Sequence, residues 1–229
     1  MKNYKLNQIS SIVNGTLFGD ENVIINQIFF DSRMIVHPAI GIFFALHGNQ
    51  KDGHQYIDDA YQKGIRNFVV HEKLEHLANA NFILVNNPLQ ALQNWAKYHR
   101  KQFNLPVIGI TGSNGKTIVK EWLNQLLWKN FSIARSPKSY NSQFGAALSI
   151  LQITEKNNLG IFEAGISLPN EMEKLEEIIQ PTIGVLTKIG EAHLENFENQ
   201  EELIQEKLKL FTHVEKLVFN IENEKVYQT

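Results

Sequence analysis

The sequence predicts an α/β protein in two parts. A small N-terminal α/β domain spans residues 1–104, and a phosphate-loop domain with a mostly parallel sheet spans 105–229. Three observations carry this expectation. Short apolar runs rich in Val, Ile and Phe alternate with segments whose apolar residues recur every three or four positions. The joins are short and hold Gly, Asn, Asp or Pro, so strand and helix succeed one another as in sheets with helical crossovers. The stretch Val107-Ile-Gly-Ile-Thr-Gly-Ser-Asn-Gly-Lys-Thr117 leads from an apolar strand through a glycine loop into a helix.

In chain order, residues 4–13 read as a short helix ended by Asn14-Gly15, and 23–30 as a strand running into Asp31-Ser32-Arg33. Residues 41–46 form a second apolar strand. The turn Lys51-Asp52-Gly53-His54 leads into a helix through Tyr56, Ile57, Ala60 and Tyr61, stopped by Gly64. Strands follow at 66–71 and 81–85. Asn87-Pro88 opens a helix through Leu89, Leu92, Trp95, Ala96 and His99, with proline early, where its missing N–H costs nothing. The polar run 100–106 is the expected boundary.

The second domain begins with the strand at 107–110. Ile118, Val119, Trp122, Leu123, Leu126 and Leu127 then fall on one face of a helix. A strand at 131–135, a polar loop at 136–142, a helix carrying Phe144, Ala147, Leu148 and Leu151, and a strand at 159–163 come next. Asn170 is expected to cap a helix through Met172, Leu175, Ile178 and Ile179. A strand at 182–187, a loop at 190–193, a helix over about 199–212 and a strand from 216 follow, and 221–229 holds a turn and the start of another strand. Ligands of such sheets gather at strand carboxyl ends, where 111–117, Glu163 and 187–193 all fall.

Composition narrows the function classes. With 43% hydrophobic and 20% charged residues the chain is ordinary for a soluble globular protein, and 229 residues suffice for two domains. A net charge of −2 without a basic block argues against nucleic acid as main partner. The absence of cysteine excludes disulfides and thiolate metal sites. Neither a signal peptide nor an apolar run of membrane-spanning length is present, so a cytoplasmic enzyme without membrane insertion is expected.

The glycine loop carries the chemistry. Gly112, Ser113, Asn114 and Gly115 let backbone N–H groups turn inward, and the helix N-terminus beyond them favours anionic oxygens. Lys116 would reach the β/γ-phosphates and the Thr117 hydroxyl would ligate Mg²⁺. The glycines stand at 109, 112 and 115, and Ile110 occupies the usual first glycine position, so the loop is a variant. Glu163, a strand-end acid, fits a second ligand of a Mg²⁺-nucleotide. Read singly, His193 is equally an exposed loop histidine, Lys207 a charge on a helix face, and Asn141 and Ser142 plain loop residues. Asp31-Ser-Arg33 and Asp52-Gly-His54 read equally as capping or turn chemistry.

Taken together, Thr-Gly-Ser-Asn-Gly-Lys-Thr (111–117), Ser-Tyr-Asn-Ser-Gln-Phe-Gly (139–145), Phe-Glu-Ala-Gly-Ile-Ser (162–167), Ile-Gly-Glu-Ala-His-Leu-Glu (189–195) and Glu-Lys-Leu-Lys-Leu-Phe (206–211) resemble the Mur ligases in order and spacing. Phe-Asp-Ser-Arg (30–33), Phe-Phe-Ala-Leu (43–46) and Asp-Gly-His (52–54) resemble that family's N-terminal domain, which receives the UDP end of the substrate. Residues 64–70 and 136–143 are most similar to the branch that adds D-alanyl-D-alanine, in forms some bacteria fuse to an alanine racemase.

The resemblance implies an ATP- and Mg²⁺-dependent amide ligase of peptidoglycan precursor synthesis, acting on UDP-N-acetylmuramoyl-tripeptide and D-alanyl-D-alanine through an acyl phosphate. It places Lys116 and the loop amides on the ATP phosphates, and Thr117 and Glu163 on Mg²⁺. His193 and a carbamylated Lys207 would serve a second Mg²⁺, Asn141 and Ser142 the muramoyl peptide, and Ser32 and Arg33 the uridine diphosphate. Lys188 stands where the family more often has asparagine, and Pro38-Ala-Ile-Gly41 replaces the commoner proline-glycine-aspartate. The family's third, amine-binding domain finds no counterpart here, so these residues alone are not expected to ligate. The branch that adds the third peptide residue, and a non-catalytic nucleotide- or UDP-sugar-binding fragment, are the alternatives left open.

Overall fold

A computed structural model describes residues 1–47, 52–190 and 194–220. The chain divides into two compact units, Met1–Trp95 and Ala96–Thr229. Both are α/β, and among the described residues no helix is long and apolar enough to cross a membrane.

The first unit runs β1 (Tyr4–Lys5), α1 (Leu6–Ile12), β2 (Thr16–Phe18), β3 (Ile24–Ile25), β4 (Gln27–Phe29), β5 (Gly41–Phe44), α2 (Ile57–Gln62), β6 (Asn67–Val70) and β7 (Asn81–Leu84). Its main sheet has the order β2-β7-β6-β5-β4, parallel except for β2, which pairs antiparallel with β7. Phe43, Phe68 and Phe82 stand on one face of this sheet and pack with Ile57, Ala60 and Ile65. The single strand expected over 23–30 is broken at Asn26, whose N–H donates to Ile40 O. β3 pairs with β1, whereas β4 pairs with β5, so one apolar run serves two sheets. β2 was not expected; its three residues gain their conformation from the register Leu17↔Ile83 rather than from a local pattern.

Helix α3 (Pro88–Lys101) begins as expected, with Gln90 N–H capped by Asn87 Oδ1 at 3.0 Å. It is followed by β8 (Val107–Thr111), α4 (Lys116–Leu127), β9 (Ile133–Arg135), α5 (Gln143–Ile150), β10 (Leu159–Glu163), α6 (Met172–Ile179), β11 (Ile183–Leu186), α7 (Gln200–Leu208) and β12 (Lys216–Val218). The sheet of the second unit is wholly parallel in the order β12-β11-β8-β10-β9, with the glycine-loop strand at its centre. Ile108, Ile110, Leu159 and Ile161 form one face, covered by Val119, Leu123 and Leu127 of α4.

Asn199 caps α7 through Glu202 N–H, but Asn170 does not cap α6. Asn170 lies in the left-handed region (φ 65°), and the Glu206 carboxylate of α7 instead accepts from Met172 N–H at 3.0 Å. A long-range acceptor replaces the expected local one, because a charged carboxylate at a helix N-terminus satisfies both an amide and the dipole. His193, Lys51 and the strand expected beyond 220 lie outside the described residues.

Candidate active site

The loop after β8 is shaped by two glycines with positive φ. At Gly112 (φ 143°) a Cβ would fall 2.1 Å from Thr187 Oγ1, and Gly115 (φ 87°) sits in the left-handed region immediately before α4. The loop is pinned from β11. Lys188 O accepts from Ser113 N–H at 2.9 Å and Asn114 N–H at 3.3 Å, while Thr187 Oγ1–H donates to Asn114 O at 2.7 Å. The amides of Ser113 and Asn114 are thus engaged. Those of Lys116 and Thr117, at the helix start, have no acceptor among the described residues and are the donors available to an anion. Lys116 Nζ rests on Gly112 O (2.7 Å) and Ser113 O (3.3 Å). Burial pulls its pKa below the ordinary lysine value, and the Glu163 charge opposes that shift. Lys188, the departure noted in the sequence, acts through its main-chain carbonyl, and its side chain is exposed.

Glu163 ends β10 and is fully buried. Its Oε2 accepts from the Thr117 hydroxyl at 3.0 Å, and Ser139 Oγ lies 3.3 Å from that same hydroxyl. Its Oε1 is 2.9 Å from Lys120 Nζ, an ion pair, and accepts no hydrogen bond among the described residues. Lys120 is fully buried as well, and sequence reasoning missed it. A signal existed: Lys120 stands three residues after Thr117 and four after Lys116, so one helix face presents all three. Mg²⁺ takes hard oxygens at one or two protein ligands and leaves the rest to phosphates and water. One carboxylate beside one or two hydroxyls at a phosphate loop fits that requirement.

Lys207, read from sequence as equally a surface charge, is 1% exposed. It lines a cavity of about 110 Å³ together with Lys116, Asn141, Ser142, Gly165 and Ser167. Burial, and then the Lys116 charge, depress its pKa to about 8, opposed by Glu206. Its neighbour Glu206, also buried, accepts from Met172 N–H of α6 and pairs with Lys209 at 2.9 Å. Asn141 O accepts from Gly165 N–H at 2.8 Å, and Ser142 caps α5 through Gly145 N–H. Both therefore have local structural roles while lining the cavity.

In the first unit, Asp31 caps the turn Ser32–Met34 by accepting from Arg33 N–H, and it pairs with the Arg33 guanidinium at 2.7 Å. Those hydrogen bonds hold Asp31 at a pKa of about 2. Ser32 is buried, whereas the Arg33 side chain is 83% exposed. A cavity of about 440 Å³ opens here between Ser32, Arg33, Leu46, Tyr56 and Asp59, large enough for part of a nucleotide. Asp52 caps the turn Gly53–Tyr56 through His54 N–H, so capping and the cavity edge coincide at both motifs. Pro38-Ala-Ile forms a 3₁₀ turn ahead of β5.

The structure thus gathers Gly112–Thr117, Glu163, Asn141, Ser142 and Lys207 around one loop. A larger cavity of about 960 Å³ lies at the amino ends of β8 and β11, between Arg100, Phe103, Pro181 and Thr182. Its Arg100 donates to the carbonyls of Phe103 and Ile179, its Lys97 and His213 pair with Glu177 and Glu176, and Lys101 also lines it.

Comparison with known proteins gives the family. The family profile "Mur ligase middle domain" matches residues 110–229, and "Mur ligase family, catalytic domain" matches 25–100. The chain is 36% identical over 191 residues to the UDP-N-acetylmuramoyl-tripeptide–D-alanyl-D-alanine ligase of Rickettsia prowazekii, covering 83% of this chain and 42% of that protein. It is 29% identical over 205 residues to the enzyme of the same name from Bacillus subtilis, covering 88% and 44%. The chain therefore spans under half the length of these relatives. Among solved structures, MurF from Acinetobacter baumannii superposes with a TM-score of 0.87 at 23% identity, over 100% of this chain and 52% of that one, a likeness of fold. The MurF ligase from Thermotoga maritima in complex with ADP gives 0.78 at 27% identity, over 89% and 47%.

Proposed function

The chain belongs to the Mur ligase family, and from that premise we propose that its second unit binds ATP with Mg²⁺. The protein carrying it would join D-alanyl-D-alanine to UDP-N-acetylmuramoyl-tripeptide in the cytoplasm. The observation that carries this reading is the convergence of Lys116, the free amides at the start of α4, Thr117 and Glu163 on one loop.

Each group has a role. Lys116 leaves the Gly112 and Ser113 carbonyls for the phosphate oxygens and, with the amides of Lys116 and Thr117, neutralises charge as it builds on the γ-phosphoryl group. Thr117 and Glu163 would hold Mg²⁺, which when bound would supply positive charge against the phosphates. The tripeptide carboxylate forms a bond to the γ-phosphorus while the bond to ADP breaks. The neutral amine of D-alanyl-D-alanine then attacks the acyl carbon, the acyl–oxygen bond to phosphate breaks, and the amine proton is lost as phosphate leaves. Asn141 and Ser142 face the muramoyl peptide, and Ser32 and Arg33 hold the uridine diphosphate in the first unit. Lys207 would react as neutral amine with carbon dioxide, releasing a proton and leaving a carbamate. A bare ammonium would repel a second Mg²⁺, whereas the carbamate would offer it an anionic oxygen, with His193 as the other proposed ligand. A pKa near 8 supports that reaction.

Calorimetric titration of the 229-residue chain with ADP tests the nucleotide site. Binding is expected to strengthen with Mg²⁺ and to weaken at least about tenfold in Lys116→Met. ADP binding that is absent, or indifferent to Lys116, would overturn the reading. Titration with UDP-N-acetylmuramoyl-tripeptide tests the first unit, with Arg33→Ala expected to weaken it. ATP-dependent ligated product is expected from the longer polypeptide and not from these 229 residues, and the intact mass of that polypeptide checks for a fused racemase.

A further inference from the structure

We propose that Lys120 is a positioning residue that occupies one oxygen of Glu163 so that the carboxylate meets its metal through the other oxygen only, and thereby selects Mg²⁺ over Ca²⁺. The inference rests on the Mg²⁺-nucleotide reading of the loop and adds to it a determinant of which ion is accepted.

The geometry is closed on three sides. An ammonium has three N–H donors. Lys120 donates two of them to Ser136 O at 2.9 Å and Lys138 O, and its Nζ makes ion-pair contacts with Glu163 Oε1 at 2.9 Å and Glu121 Oε1 at 3.2 Å. The two carbonyls belong to the segment between β9 and α5, so the ammonium is tied to backbone and does not follow the carboxylate if that group turns. Glu163 is fixed from behind by its own N–H, which donates to Ser136 Oγ at 3.2 Å, and by its place on β10 between β8 and β9. Only Oε2 turns toward Thr117 and the phosphate loop.

Ion size makes this arrangement selective. Ca²⁺ accepts six to eight oxygens at about 2.3–2.6 Å and commonly takes both oxygens of a carboxylate. Mg²⁺ requires an octahedron at about 2.0–2.1 Å and takes one. With Oε1 held by Lys120, the bidentate mode is closed. A group that only neutralised buried charge would affect both ions alike.

The experiment measures ADP affinity of the full chain by calorimetry in EDTA, Mg²⁺ and Ca²⁺, for the wild type, Lys120→Met and Lys120→Arg. The expected wild-type result is stronger binding in Mg²⁺ than in Ca²⁺. In Lys120→Met that advantage falls about tenfold, the usual scale for losing a partner of a metal-binding carboxylate, and Lys120→Arg retains most of it. An unchanged Mg²⁺-to-Ca²⁺ ratio in Lys120→Met overturns the role of Lys120. Wild-type affinity indifferent to any divalent ion overturns the Mg²⁺ reading instead, so the two failures differ. Should Lys120→Met not fold, a crystal structure of the wild type with ADP and Ca²⁺ decides. An ion on Oε2 alone, with Lys120 still on Oε1, supports the proposal, and an ion on both oxygens refutes it.

Discussion

Replacing Glu163 with glutamine removes one charge from a pair that is fully buried on both sides and leaves the Lys120 ammonium without its buried counter-charge. Breaking such a pair from one side costs about 3–5 kcal/mol. Lys120 keeps the carbonyls of Ser136 and Lys138 and the nearby Glu121 carboxylate, so the low end, about 3 kcal/mol, applies. For a unit of this size that corresponds to a fall in Tm of about 10 °C. Differential scanning calorimetry of the chain is the suitable assay, because it resolves the two units wherever they melt at different temperatures. The double variant Lys120→Met/Glu163→Gln removes both charges and is expected to be less destabilised than the two single variants summed, with a coupling of about 2 kcal/mol. A Glu163→Gln protein within about 0.5 kcal/mol of wild type, or a strictly additive double variant, would refute the reasoning.

Three further outcomes are expected. Gly112→Ala, which needs an unfavourable backbone conformation and drives a Cβ into Thr187 Oγ1, should cost about 2–3 kcal/mol in urea unfolding and loosen the loop. Lys207 incubated with ¹³C-bicarbonate should give a carbamate resonance that is absent from Lys207→Met; its absence from the wild type with Mg²⁺ and nucleotide present would count against carbamylation. Asp31 has a folded pKa near 2, below its ordinary value of 3.8, so its contribution to stability is present above about pH 4 and is lost as pH falls toward 2. Arg33→Ala should return the Asp31 carboxyl toward its ordinary value in an NMR titration, and an unmoved midpoint would show that Arg33 is not the cause.

The alternation of strands and helices was legible because it is written in local patterns. Val107, Ile108 and Ile110 make a strand from their own apolarity, Gly112 and Gly115 stand where the backbone requires positive φ, and Asn87 and Asn199 cap helices from one turn away. Thr117 and Glu163 were readable for the same reason, one opening a helix after a glycine loop and the other ending an apolar strand. The break at Asn26 and the antiparallel β2 were not readable, since each depends on which strand lies alongside.

Charged residues mark the limit most clearly. Lys120, Lys207 and Glu206 look in sequence like solvated positions on amphipathic helices, and all three are buried. A sequence states that a lysine can carry a charge, but the interior tolerates that charge only where another element brings an opposite charge or carbonyl oxygens to it. Lys120 finds Glu163 and the carbonyls after β9, and Glu206 finds the first amide of α6. The sequence by itself therefore determined the glycine loop after β8, the acid at the end of β10 and the succession of elements. The tertiary structure decided which oxygens, amides and ammonium groups remain free to meet a ligand, because burial and pairing arise between segments that are distant in the chain.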